Sequence, residues 1–248
     1  MATQLTVTGS EAVTPVIRRV WFRSDDLSAF AESGWTDRYV KLQFPDAVRT
    51  YTALYPDVDA GTLAIDFVTH GDEGVAGPWA QAARPGDRLE ARGPGGAYRP
   101  DPAADWHLLV GDESAVPAIT AALEAIQALP AAAEVTVVVL VDDAGHEPAL
   151  PLSAAAELVV LHRNALAPGE GLTTAVRALE WRPGRVHAFV HGEAAEVMHG
   201  VRPYLLKERG LARDQVSISG YWRRGRSEEG FRQWKAELRA AEEDQLTR

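Results

Sequence analysis

The chain of 248 residues contains no cysteine. That absence excludes disulfides, thiolate metal centres and thiol nucleophiles, and it suits a reducing compartment. No apolar run approaches the roughly 20 residues that span a bilayer, and no basic-then-apolar segment opens the chain. The expectation is a cytoplasmic protein with no membrane partner. Positive charge is also scarce: 25 Lys and Arg against 35 Asp and Glu leave a formal net charge of −10. An acidic balance of that size argues against nucleic acid as a partner. The seven histidines are scattered, with no HExxH spacing, and there is no GxSxG elbow. Neither a metal centre nor a serine nucleophile is expected, so a cofactor would carry any redox chemistry.

What is present divides the chain in two. The first hundred residues read as six short β-strands: "LTVTGS", "VIRRVWFRS", "RYVKLQF", "RTYTALY", "LAIDFVTH" and "DRLEARG". β-branched and aromatic residues alternate between turn formers such as Pro56-Asp57 and Pro85-Gly86-Asp87, which predicts a small antiparallel barrel. A short helix is expected near Trp79 to Ala83. From Trp106 the texture changes to strands alternating with helices, beginning with "WHLLVGD" and the Ala/Leu-rich "SAVPAITAALEAIQAL". The β-branched run "EVTVVVLVDD" is that of a strand covered on both faces. The fold class is therefore all-β followed by α/β: an antiparallel six-stranded β-barrel, then a parallel-sheet nucleotide-binding domain. The Gly/Pro-rich "GPGGAYRPDPAAD" marks the boundary. Ser114 is predicted to cap the first helix, and a helical break is predicted at Gly200, with Pro203 starting a new segment.

Three stretches point to anion binding. "VRTYTALYP", Val48 to Pro56, threads an arginine and a tyrosine into an ordinary strand, which suggests a flat, phosphate-bearing ligand on its outer face. "GDESAVP", Gly111 to Pro117, lies where open parallel sheets hold ligands, beyond a strand's carboxyl end and before a helix. "HGDEGVAGPWA", His70 to Ala80, again joins a strand end to a helix start. Each has a plainer reading, as a barrel strand, a capped strand-to-helix turn and a glycine-rich loop. "YWRRGRSEEGFRQWK" concentrates Arg223, Arg224, Arg226, Arg232 and Lys235. It reads equally as a basic lip for an anionic ligand or as a solvated face balanced by Glu228 and Glu229.

"YVKLQFP", "RTYT", "IDFVTHGD", "ARPGDRLEARGPGG", "LLVGDESAVPAI", "VHGEA" and "SISGYWRRGRSEE", in this order, resemble the siderophore-interacting protein family of flavin-dependent ferric-siderophore reductases. The similarity runs from about Ile17 to Glu229. It implies an FAD-binding β-barrel domain over residues 1–100 and an NAD(P)H-binding α/β domain with a C-terminal basic helix over 101–248. By the same resemblance, Arg49 faces FAD phosphate, Tyr51 packs on the isoalloxazine, and Thr52 hydrogen-bonds near its reactive edge. His70, Gly71, Asp72, Gly74, Ala76, Gly77 and Trp79 would complete the FAD turn, and Gly95, Gly96 and Ala97 the corner beside it. Gly111, Asp112, Glu113, Ser114, Gly192 and Glu193 match the nucleotide loops. Lys41, Trp222, Arg223 and Arg224 match the ferric-siderophore side, although a solvent-facing strand lysine would look the same as Lys41.

The chain departs from the family pattern twice. Leu54 stands where the family's second strand arginine falls, and Gly77-Pro78 replaces a hydroxyl and an arginine. If each lost contact were worth roughly 1.5–3 kcal/mol, FAD would be held more weakly. Asp142-Asp143 would accept ribose hydroxyls and repel a 2′-phosphate, favouring NADH over NADPH, or would simply form a solvent turn. The expected reaction carries electrons from NADH or NADPH through FAD to a ferric siderophore, in a monomer. Two alternatives stand beside it: a general flavin or ferric-chelate reductase, and a siderophore- or nucleotide-binding protein that has lost FAD.

Overall fold

The computed structural model describes residues 2–69, 74–167, 169–225 and 230. The expected FAD-turn residues His70, Gly71 and Asp72, and the expected basic C-terminal helix with Arg226, Arg232 and Lys235, lie outside them. Eleven strands, four α-helices, two helical segments of π type and three short 3-10 turns make up the described fold. The barrel comprises β1 (Ala2–Thr14), β2 (Ile17–Arg23), α1 (Ser28–Ala31), β3 (Tyr39–Phe44), β4 (Ala47–Asp57), β5 (Thr62–Val68), α2 (Ala76–Ala82) and β6 (Arg88–Gly95). Its strands close in the order β1-β2-β5-β4-β3-β6, every pairing antiparallel. Closure leaves no unpaired edge. Inward residues such as Leu5, Phe22, Leu42, Leu63 and Phe67 are fully buried in one cluster. Trp79 of α2 lies against Phe22, Phe44 and Phe67, so the short helix caps this core.

The second half comprises β7 (Trp106–Asp112), α3 (Val116–Gln127), β8 (Glu134–Val141), β9 (Glu157–His162), α4 (Leu172–Ala178), β10 (Val186–Glu193), α5 (Ala195–Val201), α6 (Tyr204–Glu208) and β11 (Val216–Trp222). The strands form a parallel sheet in the order β11-β10-β7-β8-β9. β7 is central and buried throughout, as its apolar sequence requires. The chain winds outward through β8 and β9, then returns to place β10 on the other side of β7. The topological switch point therefore lies between β7 and β10.

Two local expectations are corrected. The helix after β10 does not break at Gly200: α5 and α6 are wide turns of π type, joined through Arg202 and Pro203. Pro203 adopts φ −59° and ψ −38° with no N–H to leave unpaired. Gly200 is needed for packing, because a Cβ there would stand 2.0 Å from Thr173 Oγ1. Ser114 does not cap α3 either. The N-cap is Ala115, which has no side-chain cap bond, and the Ser114 hydroxyl instead donates to Asp112 Oδ1 at 2.5 Å.

The two halves meet along α3 and the linker. Leu54 of β4, Ala64 of β5 and Ala121 of α3 are buried together, with Trp21 beside them. Asp37 accepts the N–H groups of Ala97 and Tyr98, both at 2.9 Å, tying the linker to the barrel.

Candidate functional site

On the barrel side, the β3–β4 register pairs Leu42 with Arg49, Val40 with Tyr51, Lys41 with Thr50 and Tyr39 with Thr52. Opposite residues in an antiparallel pair share a face. Arg49 and Tyr51 therefore lie on the side of the buried Val40 and Leu42, and not on the outer face expected from the strand alone. Both are half-buried; the Tyr51 ring packs 4.5 Å from Phe67. The outer face of this ladder carries Tyr39, Lys41, Thr50 and Thr52. Lys41 is exposed, whereas Thr52 is buried and its hydroxyl lies on the side of Tyr221. Burial pushes the Tyr221 hydroxyl far above the ordinary tyrosine range, so it stays protonated.

The two departures from the family pattern are accounted for by packing. Leu54 is 1% exposed in the seam against α3, where an arginine would be buried. Gly77 and Pro78 occupy the first turn of α2, where a helix has unpaired N–H groups and a proline loses none. Gly77 is buried, while Gly74 at φ +79° adopts the left-handed backbone that favours glycine. The glycines of the corner are also structural. A Cβ on Gly95 would stand 2.5 Å from the Tyr39 ring, and one on Gly96 2.5 Å from Trp35 Cβ.

On the sheet side the expected residues converge, and they hold one another. Asp112 accepts from Ser114 N at 3.0 Å, Ser114 Oγ, Glu193 N at 2.7 Å and Trp222 Nε1 at 2.8 Å. One buried carboxylate thus brackets β7, β10 and β11 at the switch point. Burial raises its proton affinity, and the hydrogen bonds from Ser114 and Trp222 oppose that rise. Gly192 has φ +152°, and a Cβ there would stand 2.8 Å from Asp112 Oδ2. Glu193 accepts the N–H groups of Ala195 and Glu196 at the start of α5, and that of Arg224 at 3.1 Å. Gly111 is equally confined, since a Cβ would meet Ala115 Cβ at 2.5 Å. Glu113 pairs with Arg163, which also bonds Asp142 at 2.6 Å. Asp143 accepts from Gly145 N and pairs with His146 at 2.7 Å. Asp142 and Asp143 are therefore not a bare solvent turn.

Sequence reasoning passed over Tyr221, Arg163 and Asp37. Tyr221 stands inside the quoted "SISGYW"; nothing local to Arg163 or Asp37 signals a role, because their contacts lie far away in the chain. A cavity of about 390 Å³ adjoins the linker, lined by Trp35, Tyr98, Arg99, His187, Arg213 and Ser217 among others. Among the described residues, no cluster of His, Asp and Glu is placed to hold a metal ion, and no helix is long and apolar enough to cross a membrane.

The donor set fits a flavin dinucleotide: a cation at Arg49, a flat ring at Tyr51, and the hydroxyls of Thr52 and Tyr221. Comparison with known proteins agrees. Residues 46–98 match the family model described as "Siderophore-interacting FAD-binding domain", and residues 104–225 that described as "Siderophore-interacting protein". An uncharacterized protein of Mycobacterium tuberculosis is 43% identical, covering 95% of each chain. The ferric vibriobactin reductase ViuB of Vibrio cholerae is 36% identical over 79% of this chain and 71% of its own. An NADPH-dependent ferric-chelate reductase of Escherichia coli is 33% identical over 56% of this chain and 63% of its own. Among solved structures, a siderophore utilization protein from T. fusca superposes with a TM-score of 0.79 at 36% identity, covering 92% of this chain and 94% of that one. The chain belongs to the siderophore-interacting protein family and carries its FAD-binding domain.

Proposed function

We propose that this chain is a flavin-dependent reductase that passes electrons from a nicotinamide nucleotide through FAD to a ferric siderophore, releasing Fe(II). The observation that carries this reading is the buried seam of Leu54 and Ala64 against Ala121. It joins the segment matching the FAD-binding domain to the segment matching the siderophore-interacting family. Bound there, FAD would accept a hydride and give up electrons one at a time. The chain's own contribution is position and field. Arg49 would hold phosphate through its planar fork, and Tyr51 would offer a flat face. Thr52 and Tyr221 would orient the ring through their hydroxyls.

Cations border the proposed substrate side of this acidic protein, although Asp101 and Asp214 share the cavity lining with Arg99 and Arg213. Lys41 is exposed on the outer ladder, and the Arg224 backbone is fixed by Glu193. Arg99 and Arg213 face the cavity and make no ion pair among the described residues. An anionic ferric chelate would be drawn to this cleft. Iron leaves because Fe(II) binds hard oxygen ligands far more weakly than Fe(III).

Leu54 and Pro78 lend little weight to the alternative that FAD binding has been lost, since each has a packing reason to be there. The test is anaerobic. Yellow, FAD-loaded protein should bleach on addition of NADH or NADPH and regain colour with a ferric siderophore as a chelator traps Fe(II). Protein that takes FAD but never bleaches would contradict the donor. Protein that bleaches but passes electrons to simple ferric chelates and not to any siderophore would favour the general reductase. In the same assay Lys41→Ala should slow reduction of anionic chelates several-fold and leave neutral ones unchanged; equal effects on both would refute a charge role.

A further inference from the structure

From Pro100 to His162 the sequence contains no lysine or arginine. This stretch supplies the carboxyl ends of β7 and β8, while β9 ends at His162. The first cation to reach that edge is Arg163, and it is already engaged. Its Nη2 donates to Glu113 Oε2 at 2.7 Å, and its Nη1 to Glu113 Oε1 and, at 2.6 Å, to Asp142 Oδ1. Both terminal nitrogens of the guanidinium thus face carboxylates. The Glu113 side chain is 8% exposed, so removing Arg163 from it would strand a buried charge. The surroundings are acidic as well: Asp143 holds His146 at 2.7 Å and Glu147 holds His162 at 2.8 Å.

The strand order says what this edge would meet. Strands β7, β8 and β9 run outward from the switch point, as the first three strands of a doubly wound dinucleotide domain do. In that arrangement the end of the second strand meets the adenosine ribose. A carboxylate there accepts the 2′-hydroxyl, whereas an available arginine accommodates a 2′-phosphate. Here the second strand is β8, and the residue after it is Asp142, whose side chain is 48% exposed while one oxygen holds Arg163.

We infer that the Glu113–Arg163–Asp142 cluster determines which nicotinamide nucleotide this chain accepts, favouring NADH by withholding its one cation from a 2′-phosphate. The inference rests on the proposed donor reading and deepens it. Asp142 serves as the ribose acceptor. Glu113, buried and bidentate, keeps Arg163 turned away from the ligand. The Escherichia coli relative named for NADPH aligns with only 56% of this chain, so its donor does not carry over by descent alone.

The test uses binding, without turnover. Calorimetric titration of the full FAD-loaded chain with NAD⁺ and NADP⁺ should show NAD⁺ binding at least ten-fold tighter. Asp142→Asn, at a half-exposed position, should weaken NAD⁺ and tighten NADP⁺, bringing the two within about three-fold. Glu113→Gln, accepted only if its melting curve matches the parent's, should tighten NADP⁺ alone. NADP⁺ binding as well as or better than NAD⁺ in the parent overturns the inference and leaves the donor reading intact. So does a ratio unmoved by Asp142→Asn. A chain that takes FAD and binds neither nucleotide overturns both.

Discussion

The two sides of the cleft are built on opposite plans. On the barrel side, the outer ladder presents Tyr39, Lys41 and Thr50 to solvent, and a regular register holds them in place. On the sheet side, nearly every polar side chain assigned to ligand binding is already satisfied by another: Asp112 by Ser114, Glu193 and Trp222, Glu113 by Arg163, and Glu193 by Ala195, Glu196 and Arg224. The same motif grammar therefore does two jobs. In the barrel it supplies groups that a ligand can reach, and in the sheet it fixes the strand ends so that backbone and aromatic surfaces are held rigidly.

This contrast is sharpest at Asp112. Replacing it with alanine strands three N–H donors, that of Glu193 buried and those of Ser114 and Trp222 half-buried, at the junction of β7, β10 and β11 and should destabilise the protein by about 3–5 kcal/mol. Urea titration would measure this, and a loss below about 1 kcal/mol would remove its bracketing role. At the seam, Leu54→Ala should cost about 2–4 kcal/mol, since a fully buried leucine leaves a cavity that the flanking alanines cannot fill. A near-neutral outcome would show that the halves hold together without it.

The third break is in pH. His107 is fully buried in β7, and among the described residues neither ring nitrogen has a hydrogen-bond partner. Burial, and then the neighbouring His187, pushes its pKa down to about 4. The folded form therefore refuses a proton that the unfolded chain accepts near pH 6.5. Stability is full above pH 6.5 and falls as the pH drops towards 4, by about 3 kcal/mol over the window. His107→Phe should flatten that dependence. An unchanged slope between pH 7 and 4.5 would assign the acid sensitivity elsewhere.

Much of the fold was legible because its signals are local. Period-two alternation marked all six barrel strands, and the β-branched run of β8 marked a central strand. What escaped is non-local. Arg49 and Tyr51 were expected on the outer face, yet a strand's inner and outer sides are set by its partner, here Val40 and Leu42 of β3. Ser114 has the residue type of a cap, but Asp112 two residues earlier competes for its hydroxyl and wins with a buried charge. Gly200 and Pro203 read as a helix break because propensity assumes an α-helical turn, and wider turns accommodate both. Leu54 looked like a lost ligand contact until α3 was seen to cover it. Family motifs mark the segments in these cases; whether a given residue meets ligand or scaffold depends on what the rest of the fold brings against it.

The central claim is that the barrel grips a flavin dinucleotide through Arg49 and Tyr51, with Thr52 and Tyr221 at its ring. Titration of the purified chain with FAD, followed by flavin fluorescence, tests it most directly. The expected result is saturable one-to-one quenching, weakened at least ten-fold by Arg49→Ala with an unchanged melting temperature before FAD is added. No quenching at saturating FAD, or equal affinity in the Arg49 variant, would contradict the account.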